Sequence, residues 1–283
     1  MTRRPASRRP PKLQEHSSEL VSTNEPQPAR EPGPRELLKR NRVSGCAHPR
    51  LGRDEVRALA RRVAAADPRH ALGLDLGSVD IDDVYSTLES HWGCALDDPR
   101  ARLDVDLTIE RLERATERLV EVASTGGRLI FATSRPASLL GVHLTLSRAA
   151  RDAGGVVLSE REVTAVRAAG RPDRSIWWID GIAVVTDGTD LVGHDDTGVW
   201  SEIDFAVGRA ELVVTDGVLA AGALAARFEV VALADLPVMA LGVAADRGGP
   251  VTIVPAVSER PAWCYEPLLT LASQKARSTS SVS

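Results

Sequence analysis

Short apolar runs and longer helical stripes alternate along residues 210–257. Three of the runs are apolar on both faces, and such strands are typical of a parallel sheet that is covered on both sides. The segments between them carry small and aliphatic residues at helical spacing. Right-handed crossovers should connect the strands. The strands are predicted at 211–215, 228–233 and 251–257, and the helices at 218–227 and 236–246.

A second strand–helix–strand unit lies in the first half of the chain. A strand is predicted at 128–133, a helix at 139–153 and another strand at 156–158. An amphipathic helix at 105–124 precedes this unit, and a hairpin at 175–186 follows it. The pattern predicts an α/β protein, with a three-layer Rossmann-like sandwich built on a mostly parallel sheet.

Carboxylates follow three of the predicted strands. Asp187 and Asp216 each end a Val-Val-Thr-Asp sequence before a glycine, and Asp235 follows the next strand. If these strands run in the same direction, their carboxyl ends meet at one edge of the sheet, where open α/β sheets bind ligands. Asp at a strand end is also a common turn or helix-cap residue, so each carboxylate alone has an ordinary structural explanation. The repeated motif distinguishes the set.

The turn after the strand at 128–133 combines hydroxyl groups with a basic side chain. Thr133, Ser134, Arg135 and Ser138 lie where the next predicted helix begins. Because a helix N-terminus presents free N–H groups and a partial positive charge, this turn is a candidate phosphate site. Ordinary N-capping by a serine, with Arg135 in solvent, accounts equally for these residues.

Phosphoryl chemistry is the reaction that these groups favour. Asp187, Asp216 and His143, one turn into the helix after Arg135, are the candidate catalytic residues. Asp187, Asp216 and Asp235 are the candidate ligands of a divalent metal, Mg or Mn. Such a metal and Arg135 would neutralise a phosphoryl group while a carboxylate activates water. The sequence thus predicts metal-assisted hydrolysis of a small phosphate monoester.

Two other classes of protein fit the same residues. A non-catalytic nucleotide or sugar-phosphate binding module would use the same crevice without turnover, and a purely structural protein would need the carboxylates only for turns and caps. Several enzyme motifs are missing from the sequence: the dinucleotide fingerprint, the P-loop and the G-x-S-x-G elbow. Neither Asp75-Leu76-Gly77 nor Asp187-Gly188-Thr189 supplies the Asp-x-Asp pair of haloacid-dehalogenase phosphatases.

Composition divides the chain into a tail and a body. Residues 1–50 contain 8 of the 17 prolines and show no apolar periodicity. We therefore predict a disordered tail at 1–50, a single α/β domain at 51–272 and a flexible C-terminus at 273–283. The tail carries 11 Lys and Arg against 5 Glu, whereas residues 51–283 carry 24 against 34 Asp and Glu. An acidic body argues against nonspecific binding of nucleic acid.

The remaining features predict a cytoplasmic protein that binds a small phosphorylated molecule. No apolar run reaches the length of a membrane span, and the N-terminus has no apolar secretory segment. The three cysteines are odd in number and widely spaced, which favours free thiols over disulfides or a zinc site. Nothing in the sequence indicates an oligomeric state.

Four segments resemble a family of actinobacterial phosphatases. They are the Asp-Pro-Arg-Ala-Arg-Leu-Asp run at 98–104, the turn at 133–140, the hairpin at 180–188 and the closing strand–helix repeats. The resemblance covers roughly residues 54–270 and leaves the N-terminal tail outside. It implies a phosphatase with a Rossmann-like α/β fold.

Overall fold

A computed structural model describes residues 31–159, 175–186 and 210–280. The residues from Pro32 onward form a compact unit. In the described ranges, seven strands make one sheet in the order β3-β4-β1-β5-β6-β7, and β2 also pairs with β1. The strands are β1 (Arg128–Thr133), β2 (Val156–Val157), β3 (Ser175–Ile179), β4 (Ile182–Thr186), β5 (Leu212–Asp216), β6 (Glu229–Ala234) and β7 (Val251–Pro255).

Helices cover both faces of this sheet. The pairs among these seven strands are parallel except for the β3–β4 hairpin. The predicted three-layer α/β fold with a mostly parallel sheet is thereby confirmed. The helices are α1 (Pro34–Arg40), α2 (Arg53–Ala64), α3 (Ile81–Trp92), α4 (Val105–Ser124), α5 (Pro136–Asp152), α6 (Gly217–Ala225), α7 (Ala240–Asp246) and α8 (Glu266–Ser280).

Alternate side chains of each central strand enter different halves of the core. In β1, Ile130 and Ala132 pack in the layer of α2, α3, α6 and α7. Leu129 and Phe131 pack in the layer of α1, α4, α5 and α8. Because successive strand side chains point to opposite faces, a strand buried on both sides must be apolar throughout, as β1 is.

A crevice opens where the chain leaves β1 and β5. These strands are neighbours, but α5 after β1 and α6 after β5 pack in opposite layers. The α5 helix contacts β4 on one side of β1, and α6 contacts β6 on the other side of β5. The carboxyl ends of β1 and β5 therefore form the topological switch point at which such sheets bind ligands.

The predicted ends of the domain are wrong. Instead of a tail to residue 50, α1 packs on the domain, with Leu38 and Val43 fully buried. The buried apolar residues of this segment are too few to show a helical periodicity in the sequence. At the other end α8 continues to Ser280, because Ala272 and Ala276 extend its buried stripe by one turn each.

The helix predicted at 236–246 is interrupted at its start. A 3₁₀ turn spans Leu236–Val238, and α7 begins only at Ala240. Pro237 lies inside that turn and has no backbone N–H to donate, which favours a short turn followed by a new helix.

Two further expectations concern the cysteines and membrane-spanning helices. Cys46, Cys94 and Cys264 are free, as predicted. Among the helices of the described ranges, none has both the length and the apolar character needed to span a membrane.

Candidate functional site

A cleft of about 380 Å³ lies at the carboxyl edge of the sheet. The ends of β1, β5 and β6 reach it through Arg135, Gly217 and Asp235, and Ser258 follows β7. The opposite wall comes from α2 and the segments on either side of it. The cleft thus stands at the switch point that the topology defines.

Four arginines line this cleft, against two carboxylates. Arg50 and Arg135 stand with Glu259, while Arg62 and Arg69 belong to the α2 side. The second carboxylate is that of Asp235. A positive cleft in a protein of net negative charge attracts anionic ligands and focuses the field on them.

Arg135 is held at the mouth of the cleft by Glu259. Its Nη1 donates to Glu259 Oε1 at 2.8 Å, and Arg50 forms an ion pair with the other carboxylate oxygen. The Arg135 side chain is only 16% exposed. An arginine restrained in this way keeps a planar guanidinium in a fixed orientation, and that group suits phosphate recognition.

The first turn of α6 contributes backbone groups to the cleft. Gly217 and Val218 begin the helix and line the cleft. The first N–H groups of an α-helix have no partner within the helix, and they carry a partial positive charge. Gly217 has a φ of 43°, a left-handed conformation that favours glycine over other residues. The chain therefore presents a helix N-terminus to an anion at this point.

Asp216 is fully buried and organises the turn after β1. Its carboxylate accepts hydrogen bonds from the Thr133 hydroxyl, from the Ser134 N–H at 3.0 Å and from Ser134 Oγ at 2.5 Å. Thr133 Oγ1 in turn accepts the Arg135 N–H at 3.0 Å. Asp216 therefore fixes the backbone from which Arg135 extends, and does so from below the cleft.

His143 lies against the same carboxylate. Its Nε2 is 3.5 Å from Asp216 Oδ2, and both side chains are 0% exposed. Burial raises the pKa of the Asp216 carboxyl, but His143 and the hydroxyls of Ser134 and Thr133 together outweigh it. The pKa of Asp216 consequently lies below its ordinary value, and the carboxyl stays ionised at neutral pH.

Asp235 fastens the N-terminal segment to the sheet edge. Its Oδ1 accepts from His48 Nε2 at 3.0 Å and from Leu236 N at 2.7 Å, and its Oδ2 accepts from Ser258 N at 3.1 Å. His48 Nδ1 accepts the N–H groups of Arg50 and Leu51. This assigns the His48 proton to Nε2 and positions Arg50 at the cleft.

We expect His48→Ala to lower the free energy of unfolding by about 1–3 kcal/mol, because Asp235 loses a buried donor and two N–H groups lose their acceptor. It should also weaken binding of inorganic phosphate, since Arg50 loses its anchor. Chemical denaturation and titration calorimetry measure the two effects. His91→Ala is the matched control. His91 Nε2 lies 2.8 Å from Asp246 Oδ1, and neither residue lines the cleft, so its loss should lower stability alone. Unchanged stability and phosphate affinity in His48→Ala would contradict the assignment.

Comparison with known proteins assigns the chain to a family. A family model described as Phosphatase matches residues 33–280, which include every element named above. The chain belongs to the Phosphatase family. The sequence-based resemblance to a phosphatase family is therefore confirmed. The family's N-terminal limit also agrees with a domain that starts near α1 rather than at residue 51.

One relative of this phosphatase-family protein comes from Streptomyces coelicolor and is named Phosphatase SCO2771. The two are 39% identical over 127 residues. The matched segment covers 42% of this chain and 47% of the relative, so the chain spans about half the length of the curated protein it matches.

The structure separates the predicted site residues into two groups. Arg135 and Asp235 line the cleft, and Ser138 lines an adjoining cleft of about 390 Å³. The other described residues are buried beneath the cleft and bonded to one another or in contact; they are Thr133, Ser134, Asp216 and His143. Asp187 lies outside the described residues.

The metal prediction depends on residues that the structure describes only in part. Within the described ranges, no three His, Cys, Asp or Glu side chains come together in a group that could hold a metal ion. Asp216 accepts from Thr133 and Ser134, and Asp235 accepts from His48, so each carboxylate already has protein partners. The predicted ligand set of Asp187, Asp216 and Asp235 therefore cannot be assembled from the described residues alone.

Sequence reasoning missed the contribution of α2 to this phosphatase-family site. Arg62 and Arg69 were not candidates, nor were His48 and His70, although all four line the cleft. Arg61-Arg62 and Arg69-His70 are basic pairs on either side of a predicted helix end. That clustering was the available signal, but a helical segment gives no indication of which sheet edge it faces.

Proposed function

We propose that this phosphatase-family protein hydrolyses a small phosphate monoester bound in the 380 Å³ cleft. The observation that carries the proposal is the convergence of Arg135 with the N-terminus of α6 at the switch point of the sheet. Arginine forks and helix N-termini both bind phosphate oxygens well. Membership of the Phosphatase family supports the same reaction class.

Arg135 and the first turn of α6 hold the phosphoryl group in this proposal. Arg50, Arg62 and Arg69 add positive charge, which compensates the charge that develops on the phosphoryl oxygens as the ester bond breaks. Asp216 acts indirectly: it fixes the turn that carries Arg135. His143, buried against Asp216, supports that carboxylate rather than the substrate.

A divalent cation, Mg or Mn, stays part of the proposal, with Asp187 as its third predicted ligand. The described carboxylates, Asp216 and Asp235, supply no complete ligand set. Bound there, such a cation would act as a Lewis acid on a phosphoryl oxygen. None of the roles assigned to Arg135 or to α6 depends on it.

The experiment is phosphate release from a panel of sugar, nucleotide and amino-alcohol monoesters, with Mg, Mn or a chelator. We expect turnover of at least one ester. Loss of turnover with chelator, restored by added metal, would support the cation. Binding of inorganic phosphate with no release from any ester would contradict hydrolysis and favour a binding module, which the same arginines would equally serve. Absence of both phosphate binding and phosphate release would contradict the hydrolase and the binding module alike.

A further inference from the structure

One histidine of the cleft is positioned by a neighbouring carboxylate. His70 lies in the loop after α2, and its Nδ1 is 3.0 Å from Asp67 Oδ1. Asp67 also accepts the N–H of Arg69 at 2.9 Å, which holds the carboxylate in place. A carboxylate bonded to Nδ1 fixes both the orientation of an imidazole ring and its tautomer, with a proton on Nδ1.

The other ring nitrogen of His70 is the one available to a ligand. His70 Nε2 lies 3.3 Å from Arg62 Nη1, and both residues line the cleft. An arginine can only donate, so the neutral ring accepts at Nε2. A bound anion would compete with Nε2 for the Arg62 donor, while the Asp67 carboxylate keeps the ring oriented with Nε2 toward the ligand. The pKa of Asp67 lies below its ordinary value because His70 donates to it, so the carboxylate is ionised.

The other described histidines do not combine these properties. His48 uses both ring nitrogens, Nε2 on Asp235 and Nδ1 on backbone N–H groups. His143 is fully buried against Asp216, and His91 bonds Asp246 outside the cleft. The His70 side chain is 13% exposed and faces the cleft, so a ligand can reach its ring.

We propose that His70 is the general acid of phosphate monoester hydrolysis in this cleft and that Asp67 is its positioning residue. The inference rests on the proposed function, and it assigns the proton that the leaving group needs. An alkoxide is a poor leaving group, and a positioned acid that protonates it lowers the barrier to cleavage of the ester bond.

The reaction balances without a further reagent. Water attacks phosphorus, the new P–O bond forms, and the bond from phosphorus to the alcohol oxygen breaks. The departing oxygen takes the proton from His70 Nε2 and leaves as the alcohol, while both protons of the water stay on the product phosphate. One of these then returns to Nε2 and restores the imidazolium. The overall change is monoester plus water to alcohol plus hydrogen phosphate.

A purely structural role for the pair makes a different prediction. Asp67 and His70 are three residues apart. On the structural alternative, their hydrogen bond closes the turn after α2 and has no part in catalysis. Loss of a turn contact lowers the turnover of all substrates alike or lowers only stability. When a general acid is lost, the fall in turnover depends on the leaving group, because an aryl oxygen with a low pKa departs without a proton.

The test compares His70→Gln with wild type on glycerol phosphate and on 4-nitrophenyl phosphate. We expect kcat to fall by about 10²–10⁴-fold on glycerol phosphate and by less than about 10-fold on 4-nitrophenyl phosphate. Asp67→Asn, which keeps the turn but weakens the orientation of the ring, should show the same substrate dependence with a smaller fall. His91→Gln is the matched control and should leave the kcat ratio of the two esters unchanged.

Equal falls on the two esters, or no fall on either, in a folded His70→Gln protein would overturn the assignment of His70 while hydrolysis by wild type leaves the proposed function standing. If His70→Gln does not fold, Asp67→Asn decides by the same ratio. Release of no phosphate by wild type from either ester or from the wider panel would instead remove the proposed function, and His70 with it.

Discussion

Arg135→Ala should lower kcat/KM for phosphate monoesters by about 10²–10³-fold, the effect of removing one preorganised donor from a site of developing charge. The loss should be large because Arg135 is 16% exposed and held by Glu259, so its donors are fixed before substrate arrives. Its removal also takes one of two cationic partners from Glu259, and the less neutralised carboxylate then repels the phosphate. Steady-state kinetics on the ester that wild type turns over fastest measures the change.

Two variants test whether the effect belongs to the arginine fork. Arg135→Lys keeps the positive charge but loses the planar set of donors, and we expect an intermediate loss. Arg114→Ala removes an exposed arginine of α4 that pairs with Glu110, outside the residues of the cleft, and should leave kinetics unchanged. Wild-type kcat/KM in Arg135→Ala would refute the phosphate site as described.

Asp216→Ala should lower the free energy of unfolding by about 3–5 kcal/mol, the usual effect of removing one partner from a buried charged network. Thr133 and Ser134 would lose their acceptor, and His143 would lose its neighbouring charge. For a domain of this size, the melting temperature should fall by about 10 °C. Thermal and denaturant unfolding measure the loss. A fall of less than about 1 kcal/mol would contradict the role given to this carboxylate.

The pH dependence of stability separates the charge of Asp216 from its shape. Because the pKa of the folded-state carboxyl is lowered from 3.8, its contribution is complete above pH 3.8 and is lost as the pH falls through the folded-state pKa. Asp216→Asn keeps the shape without the titration. The stability difference between wild type and Asp216→Asn should therefore be largest at neutral pH and shrink below pH 3.8. A difference that grows on acidification would contradict the sign.

Sequence periodicity predicted the central elements closely. The helix at α4 was predicted with the observed ends, and β1, β3 and β5 to β7 lie where apolar runs predicted strands. A buried strand or an amphipathic helix repeats its pattern over many residues, so local sequence is enough to identify it. The termini were predicted less well, because α1 is attached through only a few apolar side chains.

The candidate site was predicted in position but not in composition. Strand-end residues such as Arg135 and Asp235 were expected at the sheet edge, and they line the cleft. Arg62, Arg69 and His70 were not expected, because they reach the cleft through the packing of α2 in the same layer as α6. Such contacts join residues far apart in sequence, and no local pattern records them.

The sequence by itself determined the α/β fold and the candidate edge of the sheet, since hydrophobic periodicity is local and strands that alternate with helices of this length form parallel sheets. Only the tertiary structure decided how each polar group is used. In sequence Asp216 looks like an ordinary turn residue, but in the structure it points inward to Thr133 and Ser134. The direction of a side chain at a strand end depends on the donors that surrounding elements bring to it, and those donors are fixed only when the chain has packed.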